Sequence, residues 1–237
     1  MFELSVAGSD ESMRIAPSKI IALGLNYAAH IAESQSINAG GMKDSVPSEP
    51  VLFPKTPNVL IPSGQPIVLP AIVDTYGFDE PRTDYEGELA LIIGSRARDI
   101  KADNAYDFIY GYTCMNDVSQ RNIQNGDRSG WFRGKSFDTF GPIGPVIVPA
   151  SQIKDAHNLR LQTRLNGVTV QDASTSLMIF KIPELLAYIS RNVTLEPGDI
   201  VLTGTPSGVG PIKPGDVVEV EIEGIGVLSN PVVAHTN

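Results

Sequence analysis

Cysteine is almost absent from this sequence: Cys114 stands alone in 237 residues. A single thiol excludes an internal disulfide and any zinc cage built from cysteines, and a reducing cytoplasm is the expected setting. Basic residues are scarce as well. The 18 Lys and Arg are outnumbered by 27 Asp and Glu, giving a net charge of −9 and a pI near 4.8. No Lys/Arg cluster interrupts that balance, so no nucleic-acid surface is expected. An acidic chain needs local positive charge wherever it binds an acidic ligand. No window holds enough consecutive apolar residues to span a bilayer. The opening MFELSVAGSDESMRIAP has neither a basic start nor a long apolar run, so no signal peptide is expected.

What the chain does have is turn chemistry. Its 22 glycines and 18 prolines, with 42% hydrophobic and 19% charged residues, fit a soluble chain of many short strands and few helices. KIIALGL (19–25) reads as a buried strand and NYAAHIAE (26–33) as a short helix. The stretch from Gln35 to Pro50 has no periodicity and reads as a mobile loop. Strands are expected at VLF, PIVLP, GELALIIG and FIYGYTCMND. LQTRLNGVTVQ reads as a hairpin closed by Asn166-Gly167. IPELLAYISRN carries Pro183 in its first turn and Leu185, Leu186 and Ile189 on one face, so it reads as a helix. Two PGD turns, at Pro197 and Pro214, each precede a β-rich run.

The stretch DYEGELALIIG (84–94) carries the chemistry. Side chains alternate along a strand, so Glu86 and Glu88 point the same way. Two like charges on one face destabilise a sheet unless something positive lies between them. A solvated edge that discourages aggregation would also carry such a pair. The next strand, GYTCMNDVSQRNIQ, ends its apolar run at Asp117. Three carboxylates at strand ends, without histidine, suit a hard divalent cation, Mg²⁺, Mn²⁺ or Ca²⁺ rather than zinc. Three protein ligands leave about three of six octahedral positions for water or substrate, as in a working site.

At these motifs the sequence resembles the fumarylacetoacetate hydrolase family, in particular its short, acylpyruvase-like members. The matching stretches are GLNYAAHIAE, VLFPKTP, DYEGELALIIG, GYTCMNDVSQRNIQ, GKSFDTFGPIGPVIV and LTGTPSGVGPIKPGDVVEVEIEGIGVLSNPV, in the family's order from about Lys19 onward. The resemblance implies a mainly β fold with a few helices, a mixed β-sandwich roll. The chain itself reads most simply as one β-rich domain with a small N-terminal portion over residues 1–50, and the resemblance puts a catalytic lid on that portion and a catalytic domain over 51–237. It further implies a divalent metal, usually Mg²⁺, a homodimer, and chemistry on a small-molecule 2-oxo acid, especially a 1,3-dicarbonyl one. Matched by motif, Glu86, Glu88 and Asp117 would be metal ligands and His30 and Glu33 a catalytic pair. Lys135, Arg121, Gln124 and Thr205 would line the substrate site. Leu25 stands where some relatives carry a basic residue.

The chemistry is consistent with those residue types. A 2-oxo acid chelates a metal through a carboxylate oxygen and its keto oxygen, and the metal then stabilises a forming enolate. Hydrolysis of a C–C bond beside the carbonyl, loss of CO₂ and keto–enol exchange all pass through that enolate. Lys135 and Arg121 would supply compensating charge, Arg being suited to a carboxylate, and GPIGP after Lys135 would hold a rigid loop. The glycine-rich turn TGTPSGVG (203–210) offers backbone N–H groups to a carboxylate. Glu33 lies three residues after His30, within reach on one helical face, and a carboxylate so placed makes an imidazole a better base. Trp131, Phe132 and Cys114 read as packing. The reaction expected first is hydrolysis of an acylpyruvate-type 2,4-dioxo acid, with His30 and Glu33 activating water and Lys135 as a third catalytic residue that stabilises the oxyanion or enolate. The alternative is isomerase, tautomerase or decarboxylase activity on oxaloacetate or a 2-hydroxyhepta-2,4-diene-1,7-dioate-like acid.

Overall fold

The computed structural model describes residues 2–33, 46–128 and 131–235. Strands β1 (Phe2–Ser5), β2 (Ser12–Ile15), β3 (Ile20–Gly24), β4 (Val51–Lys55), β5 (Leu60–Ile61) and β6 (Ile67–Leu69) open the chain. There follow β7 (Thr83–Tyr85), β8 (Gly87–Ile93), β9 (Ile109–Asn116), β10 (Ser119–Gln120), β11 (Gly141–Pro149) and β12 (Arg160–Leu165). The last are β13 (Val168–Ser174), β14 (Ile200–Leu202), β15 (Gly210–Pro211), β16 (Val217–Ile222) and β17 (Gly226–Ala234). The helices are α1 (Ala28–Glu33), α2 (Ile72–Thr75), α3 (Arg121–Gly126), α4 (Phe132–Lys135) and α5 (Ile182–Asn192). No described helix is long and apolar enough to cross a membrane. The loop expected from Gln35 to Pro50 lies largely outside the described residues.

The run GELALII is buried at every position because β8 sits inside a seven-stranded sheet ordered β4-β3-β14-β8-β9-β11-β5, covered on both faces. Leu89, Leu91 and Ile93 face one core with Leu185, Leu186 and Ile189 of α5; Ala90 and Ile92 face another with Phe53, Met115 and Phe140. Each large apolar side chain so buried contributes about 1.5–3 kcal/mol. A five-stranded sheet, β13-β12-β16-β17-β6, lies behind. It approaches so closely that a Cβ at Gly87 would stand 2.2 Å from the Thr163 hydroxyl, so only glycine fits between the two glutamates. The hairpin turn is left-handed at both Asn166 (φ 52) and Gly167 (φ 79), as its Asn-Gly sequence requires.

Strand pairing brings distant residues to one end of the central sheet. β8 and β9 pair with Gly87 opposite Asn116, and Asp117 N–H donates to Glu86 O at 2.8 Å, so Asp117 stands level with Glu86. β14 pairs β8 at Leu202–Ala90, delivering the turn 203–210 beside Glu88. β3 runs parallel to β14, so the chain leaving Gly24 enters α1 at the same end. Asn26 fixes that exit: its amide donates to Thr203 O (2.8 Å) and Phe180 O (3.1 Å) and accepts from Phe180 N–H (2.7 Å).

One expectation is corrected. GPIGP is the start of β11 rather than a loop; its register against β9 shifts between Gly144 and Val148, which accommodates the proline-rich segment inside the sheet.

α5 has Pro183 in its first turn and a device there that the sequence did not reveal. His157 Nε2 accepts the Ile182 N–H at 3.0 Å, satisfying one of the free donors of the first helical turn. Burial first, and then Lys181, hold the His157 imidazole below its ordinary pKa, against Asp155 and Glu184. The neutral ring is the one the fold uses. Stability is therefore expected to fall as pH drops from histidine's ordinary value near 6.5 toward the lower folded value. His157→Ala should lower stability by about 1 kcal/mol at pH 8 and flatten this dependence. Urea titrations at pH 5.5 and 8 check it; an unchanged pH slope in the variant would refute the cap.

Candidate active site

Lys135 and Arg121 are the positive partners of Glu86, while Glu88 is held by a backbone N–H. Neither glutamate is solvated: Glu86 is 4% and Glu88 1% exposed. Arg121 enters from α3. Its guanidinium binds Asp84 Oδ2 (2.8 Å), Gln124 Oε1 (3.0 Å) and Glu86 Oε1. Lys135, at the end of α4, lies between Glu86 Oε2 and Asp117 Oδ2, 2.6 Å from each, with its ammonium 4.8 Å from the centre of the Phe53 ring. Burial would push the Glu86 carboxyl up, but Arg121 and Lys135 hold it well below the usual carboxylate range. Glu88 is the opposite case. Burial, with Asp117 and Glu86 beside it, pushes its carboxyl well above that range, although Gly204 N–H donates to Oε2 at 2.7 Å.

Lys55 is a site residue the sequence reading passed over. It ends β4, is 2% exposed, and reaches Asp117 Oδ1 at 2.7 Å and the carbonyls of Val118 (3.4 Å) and Lys135. Its signal was strand parity with buried Phe53, but only the β3–β4 pairing places it beside Asp117. Asp84 was missed too, although it shares parity with Glu86 and Glu88; it binds Arg82 and Arg121.

The Glu86, Glu88 and Asp117 carboxylates offer ligand atoms that all lie within 4.8 Å of one another. They fit a hard divalent cation. All donors are oxygens, and Asp117 Oδ1 is buried without an aligned hydrogen-bond donor, its contact with Lys55 being an ion pair alone. Glu88, ionised, needs a neighbouring cation to be stable.

In front of this cluster lies a narrow cleft that opens to solvent. His30, Glu86, Glu88, Arg121, Gln124, Lys135 and Thr205 all line it, with Leu25, Phe53 and Trp131 as an apolar wall. Asp117 is fully buried behind it. Trp131 does pack, edge-on against Phe53 with ring centres 5.4 Å apart, but it is a cleft wall as well. The Thr205 hydroxyl donates to Gly87 O (3.0 Å) and accepts from buried Gln171 (2.8 Å), so it braces the floor of the site.

His30 is 7% exposed, and its Nδ1 lies 3.3 Å from Glu33 Oε1. The same oxygen accepts N–H bonds from Gly208 (2.8 Å) and Val209 (3.4 Å). The turn 203–210 thus does cradle a carboxylate, and it is Glu33. Burial would raise the Glu33 carboxyl, but the bonds from His30, Gly208 and Val209 bring it below its ordinary value. An ionised Glu33 can accept a hydrogen bond from Nδ1–H, and in that tautomer Nε2 is the nitrogen with a free lone pair.

With this geometry in place, the family follows from sequence. The profile described as fumarylacetoacetate (FAA) hydrolase C-terminal matches residues 19–233. This chain belongs to that family. It is 42% identical over 227 residues to a mitochondrial oxaloacetate tautomerase of Xenopus laevis, covering 92% of this chain and 66% of that protein. Among solved structures it resembles a 5-carboxymethyl-2-hydroxymuconate delta-isomerase from Mycobacterium smegmatis, with a TM-score of 0.79, 43% identity, and 93% and 78% of the two chains covered. It also resembles a fumarylpyruvate hydrolase from Pseudomonas aeruginosa, in complex with Mn²⁺ and pyruvate. There the TM-score is 0.84 and the identity 29%, covering 99% of this chain and 96% of that one. The mainly β architecture is that of this family.

Proposed function

We propose that this fumarylacetoacetate hydrolase family chain is a divalent-metal-dependent enzyme that forms the enolate of a 2-oxo acid, with keto–enol tautomerisation of an oxaloacetate-type substrate as its reaction. The observation that carries this reading is that His30 and the Glu86–Glu88–Asp117 cluster line or back the same cleft. Mg²⁺ or Mn²⁺, held by those three carboxylates, would supply Lewis-acid stabilisation of charge on the keto oxygen. His30, oriented by Glu33, takes the proton from the carbon beside the carbonyl and gives it to the enolate oxygen, and ketonisation runs the same transfer in reverse. Lys135 and Arg121 set the field that favours the anion. Asp84, Glu86, Glu88 and Asp117 are matched in charge by Lys55, Arg82, Arg121 and Lys135. A divalent cation then leaves two positive charges, which the chelating carboxylate and the enolate oxygen of a 2-oxo acid would neutralise.

The tautomerase of 42% identity supports oxaloacetate as the substrate class. A second reading, hydrolysis of an acylpyruvate with His30 and Glu33 activating water, is favoured by the fumarylpyruvate hydrolase, which matches this chain over nearly its whole length. One panel separates them. Oxaloacetate, acetylpyruvate and fumarylpyruvate are each incubated with Mg²⁺ or Mn²⁺ while enol absorbance, pyruvate and CO₂ are followed. Metal-dependent enol decay of oxaloacetate without pyruvate is the expected result. Pyruvate from a dioxo acid would favour the second reading, and no turnover on the panel would overturn both.

A further inference from the structure

We infer that Tyr85 is a positioning residue for the His30–Glu33 pair, acting through the backbone of Gly208; this rests on the reading of His30 as the base. Tyr85 lies between Asp84 and Glu86, and strand parity turns it to the face opposite theirs. There its hydroxyl donates to Gly208 O at 2.8 Å. Gly208 N–H in turn donates to Glu33 Oε1 at 2.8 Å, and that oxygen faces His30 Nδ1. β7 also pairs with β15 at Tyr85–Gly210, just past the turn.

Gly208 has no freedom to move away. Its φ is +95°, and a Cβ on it would meet Val170 O at 2.0 Å. The turn is clamped between β13 and the Tyr85 ring, so the phenol decides where the Glu33 cradle sits. Two consecutive residues, Tyr85 at the end of β7 and Glu86 just after it, therefore serve the base and the carboxylate cluster.

The test is Tyr85→Phe, which keeps the ring and removes the donor. Turnover is expected to fall about threefold to tenfold, the worth of one hydrogen bond, with KM and Mn²⁺ affinity unchanged. The second measurement is independent of turnover. The hydrogen-bonded imidazole N–H proton of His30, identified in the NMR spectrum by its loss in His30→Asn, should be present in the wild type. It should broaden by solvent exchange in Tyr85→Phe and in Glu33→Gln. Gly208→Ala should abolish it as well. Retention of that resonance in Tyr85→Phe, its absence from the wild type, or a loss of Mn²⁺ affinity parallel to the loss of rate would overturn the assignment. A wild type inactive on the panel but showing this proton and its loss would leave the positioning intact and overturn the proposed function.

Discussion

Glu88→Gln is expected to abolish metal capture while leaving the metal-free protein at least as stable as the wild type. The amide keeps the size of the side chain and can still accept the Gly204 N–H, but it cannot supply anionic charge to a cation. Loss of an outer-shell partner already costs about 10–100-fold in metal affinity, so loss of a ligand should cost about 10²-fold or more, and activity with it. The stability half follows from the raised carboxyl of Glu88, caused by burial and by Asp117 and Glu86. An acid whose folded pKa lies above its unfolded value stabilises the fold fully below the unfolded value. That contribution is lost as pH rises through the folded value. The metal-free wild type should therefore lose stability as pH rises from the ordinary carboxylate range, and Glu88→Gln should lack that slope. Saturating Mg²⁺ should reverse the ranking, because only the wild type gains from it. Calorimetric titration with Mn²⁺ and thermal unfolding at pH 5 and 8, with and without metal, check both halves. Undiminished Mn²⁺ affinity in the variant would sink the metal site.

Alanine at Glu86 or Asp117 is a poorer experiment, for a reason only the structure supplies. Each removal strands a buried cation: Arg121 and Lys135 in one case, Lys55 and Lys135 in the other. Breaking a buried pair in that way costs about 3–5 kcal/mol, so failure to fold would be confused with failure to bind metal.

That difference marks what was legible in the sequence. The two glutamates were readable because strand parity needs only a spacing of two. Helix 182–192 was readable because Pro183 and an apolar stripe are local signals, as was the Asn166-Gly167 turn. Lys55 was not. A lone lysine beside Pro54 reads as surface, and its burial depends on β3 shielding β4 and on α4 arriving from 80 positions along the chain. The same holds for the Glu33 cradle. The turn 203–210 advertised its N–H groups, but nothing local says that β3, running parallel to β14, delivers α1 to meet them. β11 was hidden by its own glycines and prolines, which argue against a strand, and it is held by pairing with β9 and β5.

His30 lies on a segment remote from the three carboxylates, so its removal should separate proton transfer from metal capture. His30→Asn removes the base, and Glu33→Gln removes the charge that fixes the proton on Nδ1. Loss of a positioned general base lowers rates by about 10²–10⁴-fold, and a fall of that order is expected for either variant, with Mn²⁺ affinity nearly unchanged. The two act as one unit, joined by the 3.3 Å contact, so the double variant should be little worse than either single one. The loss should depend on the reaction. Tautomerisation of oxaloacetate and hydrolysis of a dioxo acid both require a proton to be taken, from carbon or from water. Release of CO₂ from oxaloacetate breaks a C–C bond without that step and needs only the stabilised enolate. At saturating Mn²⁺, His30→Asn is expected to retain most of whatever decarboxylation the wild type shows while its tautomerisation collapses. Wild-type tautomerisation by His30→Asn would remove the histidine from the mechanism. An equal loss on both reactions would mean that the variant had disturbed the Gly204–Val209 turn and the carboxylates behind it, and that His30 acts as a brace for the cleft rather than as its base.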